Sequence, residues 1–160
     1  MSKKEEVIRN DGERELVIKR TFNAPPELVW EAWTEPAHLV RWWGPNGFTN
    51  TFHEIDVKPG GIWRFIMHGP DGVDYPNKIV YDEVIKPQLL VYTHGDDSDN
   101  ETGKFKVTVR FEKEGNKTNL TMTMRFTSVE ERDKVVKEYG AIEGAKQTLG
   151  RLEQLLETMH

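Results

Sequence analysis

The sequence predicts an α+β fold, in which a curved antiparallel sheet of about seven strands wraps around a long C-terminal helix. Between residues 49 and 126, short segments of alternating apolar residues are separated by turns rich in Gly and Pro, a pattern typical of a meander. From residue 135 onward, apolar residues recur every three or four positions, which is typical of a helix. The strands are apolar on one face, and only this helix is long and apolar enough to cover that face.

The elements are expected in the order strand, two short helices, six strands and a helical region. The first strand is predicted at residues 15–22, and it ends at Pro25 and Pro26, which suit the first turn of a helix over 27–34. A second short helix is predicted at 37–42. The later strands are predicted at residues 49–57, 62–68, 75–85, 89–94, 104–112 and 117–126.

The helical region begins at a capping box formed by Ser128 and Glu131. Gly140 is expected to mark a break or bend. Beyond it the helix face changes character: the first half carries small residues and the second half carries leucines. The small residues are Gly140, Ala141, Gly144 and Ala145, and the leucines are Leu149, Leu152, Leu155 and Leu156. A face this thin either lets another backbone approach or leaves space unfilled.

Size and composition narrow the class of protein. The 160 residues are expected to form one domain over 13–160, preceded by a flexible segment over 1–12. A net charge of −5 argues against nucleic-acid or anionic-membrane partners. No apolar leader or membrane-length run is present, which predicts a cytoplasmic protein.

Motifs for cofactors and for catalysis are missing from the chain. There is no cysteine, no nucleotide-binding glycine motif and no nucleophile elbow, and no two histidines are spaced as metal ligands. The acidic segment 97–103 is spaced somewhat like a calcium loop but lacks its last ligand, so a solvated hairpin loop is expected. We therefore expect no cofactor and no metal, and we assign no catalytic residue.

Tryptophans are concentrated where the short helices should close one end of the fold. Trp30, Trp33, Trp42 and Trp43 fall within fourteen residues, and Trp63 lies on a strand. Each could simply fill the core, or together they could form an aromatic wall for an apolar ligand. Adjacent helical residues point about 100° apart, so one of Trp42 and Trp43 is expected to line a pocket.

Polar residues on the strands leave two interpretations open. If Trp63 and Phe65 face inward, Arg64 and His68 are exposed, which is the simpler interpretation. If both faces are partly buried, polar side chains reach the cavity and Arg64 could pair with Glu83. The residues concerned are Glu54, Arg64, His68 and Glu83.

Several segments together resemble a known family. They are residues 24–34 (APPELVWEAWT), 41–45 (RWWGP), 58–61 (KPGG), 70–72 (PDG) and 140–152 (GAIEGAKQTLGRL). The chain is similar to the C-terminal domain of the activator of the heat-shock-protein-90 ATPase, within the START-like, birch-pollen-allergen-like (SRPBCC) superfamily. The resemblance covers roughly residues 15–157. It implies a helix-grip fold with a cavity between the sheet and the long helix, used elsewhere in the superfamily for hydrophobic or amphipathic ligands. Bacterial members are mostly of unknown function.

The expected function is non-catalytic binding of a small hydrophobic or amphipathic molecule in that cavity. Two alternatives stay open: a co-chaperone-like regulator that contacts a chaperone through its surface, and a cyclase or hydrolase acting in the same cavity. The residues expected to line the cavity are Trp30, Trp33, Trp42, Trp43, Trp63, Phe65, Tyr81, Tyr139, Gly140, Gly144 and Thr148.

Overall fold

The computed structural model describes residues 5–10, 14–96 and 104–159, so the acidic segment 97–103 lies outside the described residues. The strands are β1 (Glu5–Asn10), β2 (Glu15–Phe22), β3 (Thr49–Ile55), β4 (Ile62–His68), β5 (Asp74–Ile85), β6 (Leu89–Asp96), β7 (Phe105–Glu114) and β8 (Lys117–Arg125). The helices are α1 (Pro26–Thr34), α2 (Pro36–Trp42), α3 (Val129–Tyr139) and α4 (Ala141–Thr158).

The strands form an antiparallel sheet in the order β1-β2-β8-β7-β6-β5-β4-β3. Strands β3 to β8 make the expected meander, and β2 pairs with β8. This confirms the α+β helix-grip arrangement. The sheet has one more strand than expected, because Glu5–Asn10, predicted to be part of a flexible segment, pairs with β2 as an edge strand. The segment forms a strand because it pairs with β2, and a prediction based on the residues of the segment alone does not take this pairing into account.

Two irregularities bend the sheet around the helix. The pairing register shifts between Phe52 and Glu54 on β3, and again between Tyr81 and Glu83 on β5. Each extra residue bends its strand and increases the local twist. The concave face carries buried side chains of β4 and β5, among them Trp63, Phe65 and Tyr81.

Helices α1 and α2 close one end of the sheet. Pro26 stands in the first turn of α1, where its missing N–H costs nothing. The indole N–H of Trp42 donates a 2.9 Å hydrogen bond to the carbonyl oxygen of Ala32, which ties α2 to α1. Trp33 and Trp42 pack edge to face with ring centroids 4.8 Å apart. The two short helices therefore present a rigid aromatic surface to the core.

The C-terminal helical region bends where the sequence predicted. Ser128 caps α3 by accepting a 3.0 Å hydrogen bond from the amide of Glu131. Gly140 adopts a left-handed conformation, with φ 60° and ψ 41°, and so separates α3 from α4. Helix α4 crosses the concave face, and its C-terminal half is anchored there by buried leucines, namely Leu149, Leu152, Leu155 and Leu156.

Candidate ligand-binding cavity

A cavity of about 350 Å³ lies between the N-terminal half of α4 and the sheet. Its lining residues come from the two short helices and their following loop, from strands β4, β6, β7 and β8, and from α4. They are Trp33, Trp42, Trp43, Gly44, Pro45, Met67, Tyr92, His94, Phe105, Val107, Met122, Met124, Gly140, Gly144, Ala145, Thr148 and Leu149. Gly140 is exposed, so this end of the cavity reaches the surface.

The small residues of α4 explain why the space is unfilled. Gly144 borders the cavity, and a methyl group added there would meet only the Cγ atom of Pro45, at 3.5 Å. Ala145 and Gly140 border it as well, while Leu149 begins the packed half of the helix. Since a helix bearing larger side chains at these positions would fill the space, the cavity follows from the thin face predicted from the sequence.

Trp43 forms an aromatic wall of the cavity. It caps the end of α2 in an extended conformation, with φ −67° and ψ 130°. Its ring contacts Trp42 (5.5 Å between centroids), Trp63 (4.9 Å) and Phe65 (6.2 Å). Both Trp42 and Trp43 border the cavity, although their adjacency in the chain favoured one of the two. The expected 100° separation applies within a helix, and Trp43 lies just beyond one.

Gly44 lets the loop after Trp43 pass close to strand β4. Its φ is 97°, a conformation that favours glycine, and a Cβ atom there would lie 2.8 Å from the methyl carbon of Met67. Both Gly44 and Met67 border the cavity. A side chain at position 44 would therefore displace part of the cavity wall.

Arg151 on α4 holds this loop in place. Its guanidinium group donates hydrogen bonds to the carbonyl oxygens of Gly44 (2.9 Å), Pro45 (3.0 Å), Arg41 (3.0 Å) and Trp43 (3.3 Å). Desolvation by the surrounding protein lowers the pKa of Arg151 from its ordinary value. An arginine guanidinium group keeps its positive charge in proteins, so Arg151 also complements the partial negative charge at the C-terminus of α2.

His94 is the one imidazole among the described residues that line the cavity. Its ring lies among aromatic rings, with centroid distances of 5.1 Å to Phe105, 6.1 Å to Phe65 and 6.4 Å to Trp43. Nε2 of His94 is 2.9 Å from Oδ1 of Asn77. Burial lowers the pKa of His94 from 6.5 to about 4, because an apolar environment disfavours the charged imidazolium. His94 is therefore neutral at physiological pH.

Two hydroxyl groups complete the polar lining. Tyr92 has its pKa raised, first by burial and then by the nearby Tyr81, and a hydrogen bond from Trp33 opposes this effect. Thr148 donates its proton to the carbonyl oxygen of Gly144, 2.8 Å away within α4. None of the described lining residues is Asp, Glu, Lys or Arg. The cavity wall is thus apolar and uncharged, with a few polar atoms on it.

The residues predicted to line the cavity divide into three groups. Six of them do border it: Trp33, Trp42, Trp43, Gly140, Gly144 and Thr148. Four are buried in the core and are not among its lining residues: Trp30, Trp63, Phe65 and Tyr81. Trp63 and Phe65 stack on each other at 4.2 Å, and both contact the ring of Trp43, which does border the cavity. The side chain of Tyr139 lies outside the described part of the structure.

The interpretation that placed polar strand residues in the cavity is wrong. Arg64 lies opposite Glu54 on the neighbouring strand, and its Nη1 atom is 3.1 Å from Oε2 of Glu54. Glu83 is exposed, and His68 lies on the same outer face as Arg64. Since Trp63 and Phe65 take the inward positions of β4, its alternate residues point away from α4.

His68 takes part in a hydroxyl–imidazole–carboxylate arrangement on that outer face. Nε2 of His68 is 2.7 Å from Oγ1 of Thr51, and its Nδ1 is 2.7 Å from Oδ1 of Asp74. These distances resemble those of a catalytic triad. Thr51 and Asp74 are exposed, however, and none of the three lines the cavity, so we assign them no catalytic role.

Sequence reasoning missed His94 and the sheet floor of the cavity. A signal was available, because Leu90, Tyr92 and His94 alternate along β6 and thus share one face. The cavity residues of β7 and β8 likewise share one face of their strands, the alternating apolar face that the sequence predicts to be covered. They are Phe105, Val107, Met122 and Met124.

Within residues 5–10, 14–96 and 104–159, no group of three or more His, Cys, Asp or Glu side chains could hold a metal ion. No helix in these ranges has the length and hydropathy needed to cross a membrane.

Fold and cavity together define a helix-grip protein with an apolar cavity under its last helix. Similar solved structures include a protein from Arthrobacter aurescens, with 28% identity, a TM-score of 0.88, and coverage of 96% of this chain and 91% of that chain. A protein from Mycobacterium smegmatis shares 26% identity with a TM-score of 0.86, over 97% of this chain and 98% of that one. The AHSA1 protein from Silicibacter pomeroyi shares 25% identity with a TM-score of 0.74, over 91% and 99% of the two chains. No curated protein matches the chain.

The chain belongs to the family of activator of Hsp90 ATPase homolog 1-like proteins, whose model matches residues 23–157. This confirms the resemblance seen in the sequence motifs. The family fold supports a ligand-binding or regulatory role in general.

Proposed function

We propose that this protein binds a small hydrophobic or amphipathic molecule in the cavity beneath α4, without catalysing a reaction on it. The observation that carries this proposal is the cavity itself, about 350 Å³ in volume and lined almost wholly by apolar and aromatic side chains. Ligand pockets of proteins commonly measure 300–1,000 Å³ and have this kind of lining, with a few polar groups that orient the ligand. The volume suits a compact molecule such as a two-ring aromatic compound.

The lining chemistry favours binding over catalysis. An enzyme of the cyclase or hydrolase type needs an acid–base pair facing its substrate. No carboxylate or ammonium group is among the described lining residues, and the polar strand residues that were candidates lie on the outer face. The polar side chains that remain are those of His94, Tyr92 and Thr148. They suit orientation of a ligand by hydrogen bonds.

Thermal unfolding with two unlike probes tests the proposal. We would titrate the protein with 2-naphthol, a flat aromatic compound, and with 1-decanol, a chain alcohol. At about 100 times its dissociation constant, a ligand that binds only the folded state stabilises it by about 2.7 kcal/mol. For a domain of this size that corresponds to an increase in Tm of about 5–10 °C. Tryptophan fluorescence should change in the same titration, because Trp33, Trp42 and Trp43 border the cavity.

A pair of glycine variants locates the binding. Gly144→Leu places a large side chain next to the cavity, whereas Gly150→Leu adds the same side chain on the same helix, at a glycine that is not a lining residue and has open space around it. Both changes improve helix propensity, so they are matched in that respect. We expect Gly144→Leu to abolish the shift in Tm and Gly150→Leu to retain it. Equal responses of the two variants, or no response of the wild type to either probe, would contradict the proposal.

A further inference from the structure

The hydrogen bonds around His94 determine which of its two ring nitrogens carries the proton. Nδ2 of Asn77 donates a 2.8 Å hydrogen bond to the carbonyl oxygen of Tyr75, which orients the Asn77 amide. Oδ1 of Asn77 therefore faces Nε2 of His94, at 2.9 Å. An amide oxygen only accepts hydrogen bonds, so the proton of the imidazole must be on Nε2.

The other nitrogen of the ring is consequently an acceptor. A neutral imidazole carries one N–H and one lone pair, and here the lone pair is on Nδ1. Among the described residues, no side chain or backbone group makes a hydrogen bond to Nδ1. The ring borders the cavity, and the neighbours that surround it are the aromatic rings of Trp43, Phe65 and Phe105.

We infer that the cavity selects neutral, apolar ligands that carry a hydroxyl or N–H group, and that this group donates a hydrogen bond to Nδ1 of His94. The inference rests on the proposed function and deepens it, because it specifies which class of ligand the cavity takes. Asn77 acts as a positioning residue, since it holds the tautomer and the ring orientation without touching the ligand.

The same chemistry excludes two other classes of ligand. A carboxylate would meet the lone pair of Nδ1 and would have no lining cation to neutralise it. A pure hydrocarbon would fit the apolar wall but would leave Nδ1 without its hydrogen bond, and a buried polar group left unpaired weakens binding. Selection for a donor group therefore follows from the lone pair of Nδ1 in a largely apolar wall.

Four naphthalene probes of nearly equal size test the inference. They are 2-naphthol, which has a donor, 2-methoxynaphthalene, which has only an acceptor, 2-methylnaphthalene, which has neither, and 2-naphthoate, which is anionic. We expect the wild type to bind 2-naphthol about tenfold more tightly than the methoxy and methyl compounds, and 2-naphthoate about 100-fold more weakly than 2-naphthol. Tryptophan fluorescence titrations provide the dissociation constants.

Two variants identify the acceptor. His94→Phe replaces the imidazole by a ring without a lone pair and should reduce the preference for 2-naphthol to less than about twofold. His53→Phe makes the same chemical change at an exposed position that does not line the cavity, and the preference should persist in it. If the preference survives in His94→Phe, or is lost equally in His53→Phe, the inference is overturned.

A spectroscopic readout does not depend on the stability of either variant. In the wild-type protein with ¹⁵N-labelled histidine, 2-naphthol should shift the Nδ1 resonance of His94, while 2-methylnaphthalene should leave it nearly unchanged. Binding of all neutral probes with equal affinity and no Nδ1 shift would overturn the inference and leave the proposed function standing. Failure of every probe to bind would instead contradict the proposed function itself.

Discussion

The guanidinium group of Arg151, on helix α4, donates a 2.9 Å hydrogen bond to the carbonyl oxygen of Gly44, at the edge of the cavity. Gly44 follows Trp43, whose ring forms the aromatic wall, and the same guanidinium group also binds the carbonyl oxygen of Pro45. One side chain thus connects the helix above the cavity to the loop beside it. The position of Trp43 relative to α4 depends on this connection.

Replacing Arg151 should loosen the wall of the cavity. Arg151→Met keeps the aliphatic part of the side chain but removes its hydrogen bonds to the loop carbonyls. Hydrogen bonds from charged donors contribute about 1.5–3 kcal/mol, so we expect the free energy of unfolding to fall by about that amount. Urea denaturation measures this change. Arg41→Met is the control, because the Arg41 side chain is exposed, and equal stabilities of the two variants would contradict the assigned role of Arg151.

Stability should depend on pH through His94. The unfolded chain takes up a proton near pH 6.5, whereas the folded protein does so only near pH 4, so the unfolded state binds more protons between these values. Lowering the pH through this window therefore destabilises the folded protein, by at most about 3 kcal/mol from this group. The stabilising contribution is fully present above pH 6.5.

His94→Phe isolates that contribution from the other titrating groups. As the pH falls from 7 to 4.5, the free energy of unfolding of the wild type should decrease relative to that of His94→Phe, because only the wild type loses the contribution of His94. His53→Gln, at an exposed position on β3, should instead follow the wild type. Parallel stability curves for wild type and His94→Phe across this range would show that His94 is not held neutral by the fold.

Two glycines at the start of α4 should respond to alanine with opposite signs. Gly144 is helical, and an added Cβ atom would make only an ordinary contact at 3.5 Å, so Gly144→Ala should stabilise the protein by about 0.5–1 kcal/mol. Gly140 has φ 60°, a conformation that alanine disfavours, so Gly140→Ala should destabilise it by about 1 kcal/mol. Chemical denaturation of both variants measures the two signs, and a stabilised Gly140→Ala protein would contradict the bend at this residue.

Substitutions on the outer face of the sheet should leave ligand binding intact. Arg64→Met and His68→Gln change residues that lie opposite the cavity, where Arg64 pairs with Glu54 and His68 with Asp74. Exposed pairs of this kind contribute about 0–1 kcal/mol to stability. We expect the dissociation constant for 2-naphthol to change by less than about twofold, in fluorescence titrations. A large loss of affinity in either variant would mean that the inward and outward faces of β4 have been assigned incorrectly.

Local patterns in the sequence predicted most of the fold. The period-two alternation of β4 placed Trp63 and Phe65 on one face, and the cap at Ser128 and the glycine at 140 marked the ends of α3. The thin face of α4 predicted unfilled space next to Gly144, where the cavity is observed. Each of these features depends on residues close together in the chain, which is why the sequence alone was sufficient.

Features that depend on distant parts of the chain were harder to predict. His94 reaches the cavity because bulged strands curve the sheet beneath α4, and its tautomer depends on Asn77, which lies on a neighbouring strand. The pairing of Arg64 with Glu54 follows from a register that includes a bulge on β3. Trp43 points into the cavity because Arg151, more than a hundred residues away, holds the loop. None of these relationships produces a periodic pattern in the amino-acid sequence.

Methionine methyl groups report most directly on the central claim, which is that an apolar molecule occupies the space beneath α4. The chain has five methionines, and Met67, Met122 and Met124 border the cavity, whereas Met159 is buried elsewhere in the core. In a protein labelled with ¹³C at the methionine methyl groups, added 2-naphthol should shift the resonances of Met67, Met122 and Met124 and show nuclear Overhauser contacts to them. The resonance of Met159 should stay in place. Contacts confined to Met159, or a spectrum unchanged at saturating probe, would contradict the claim.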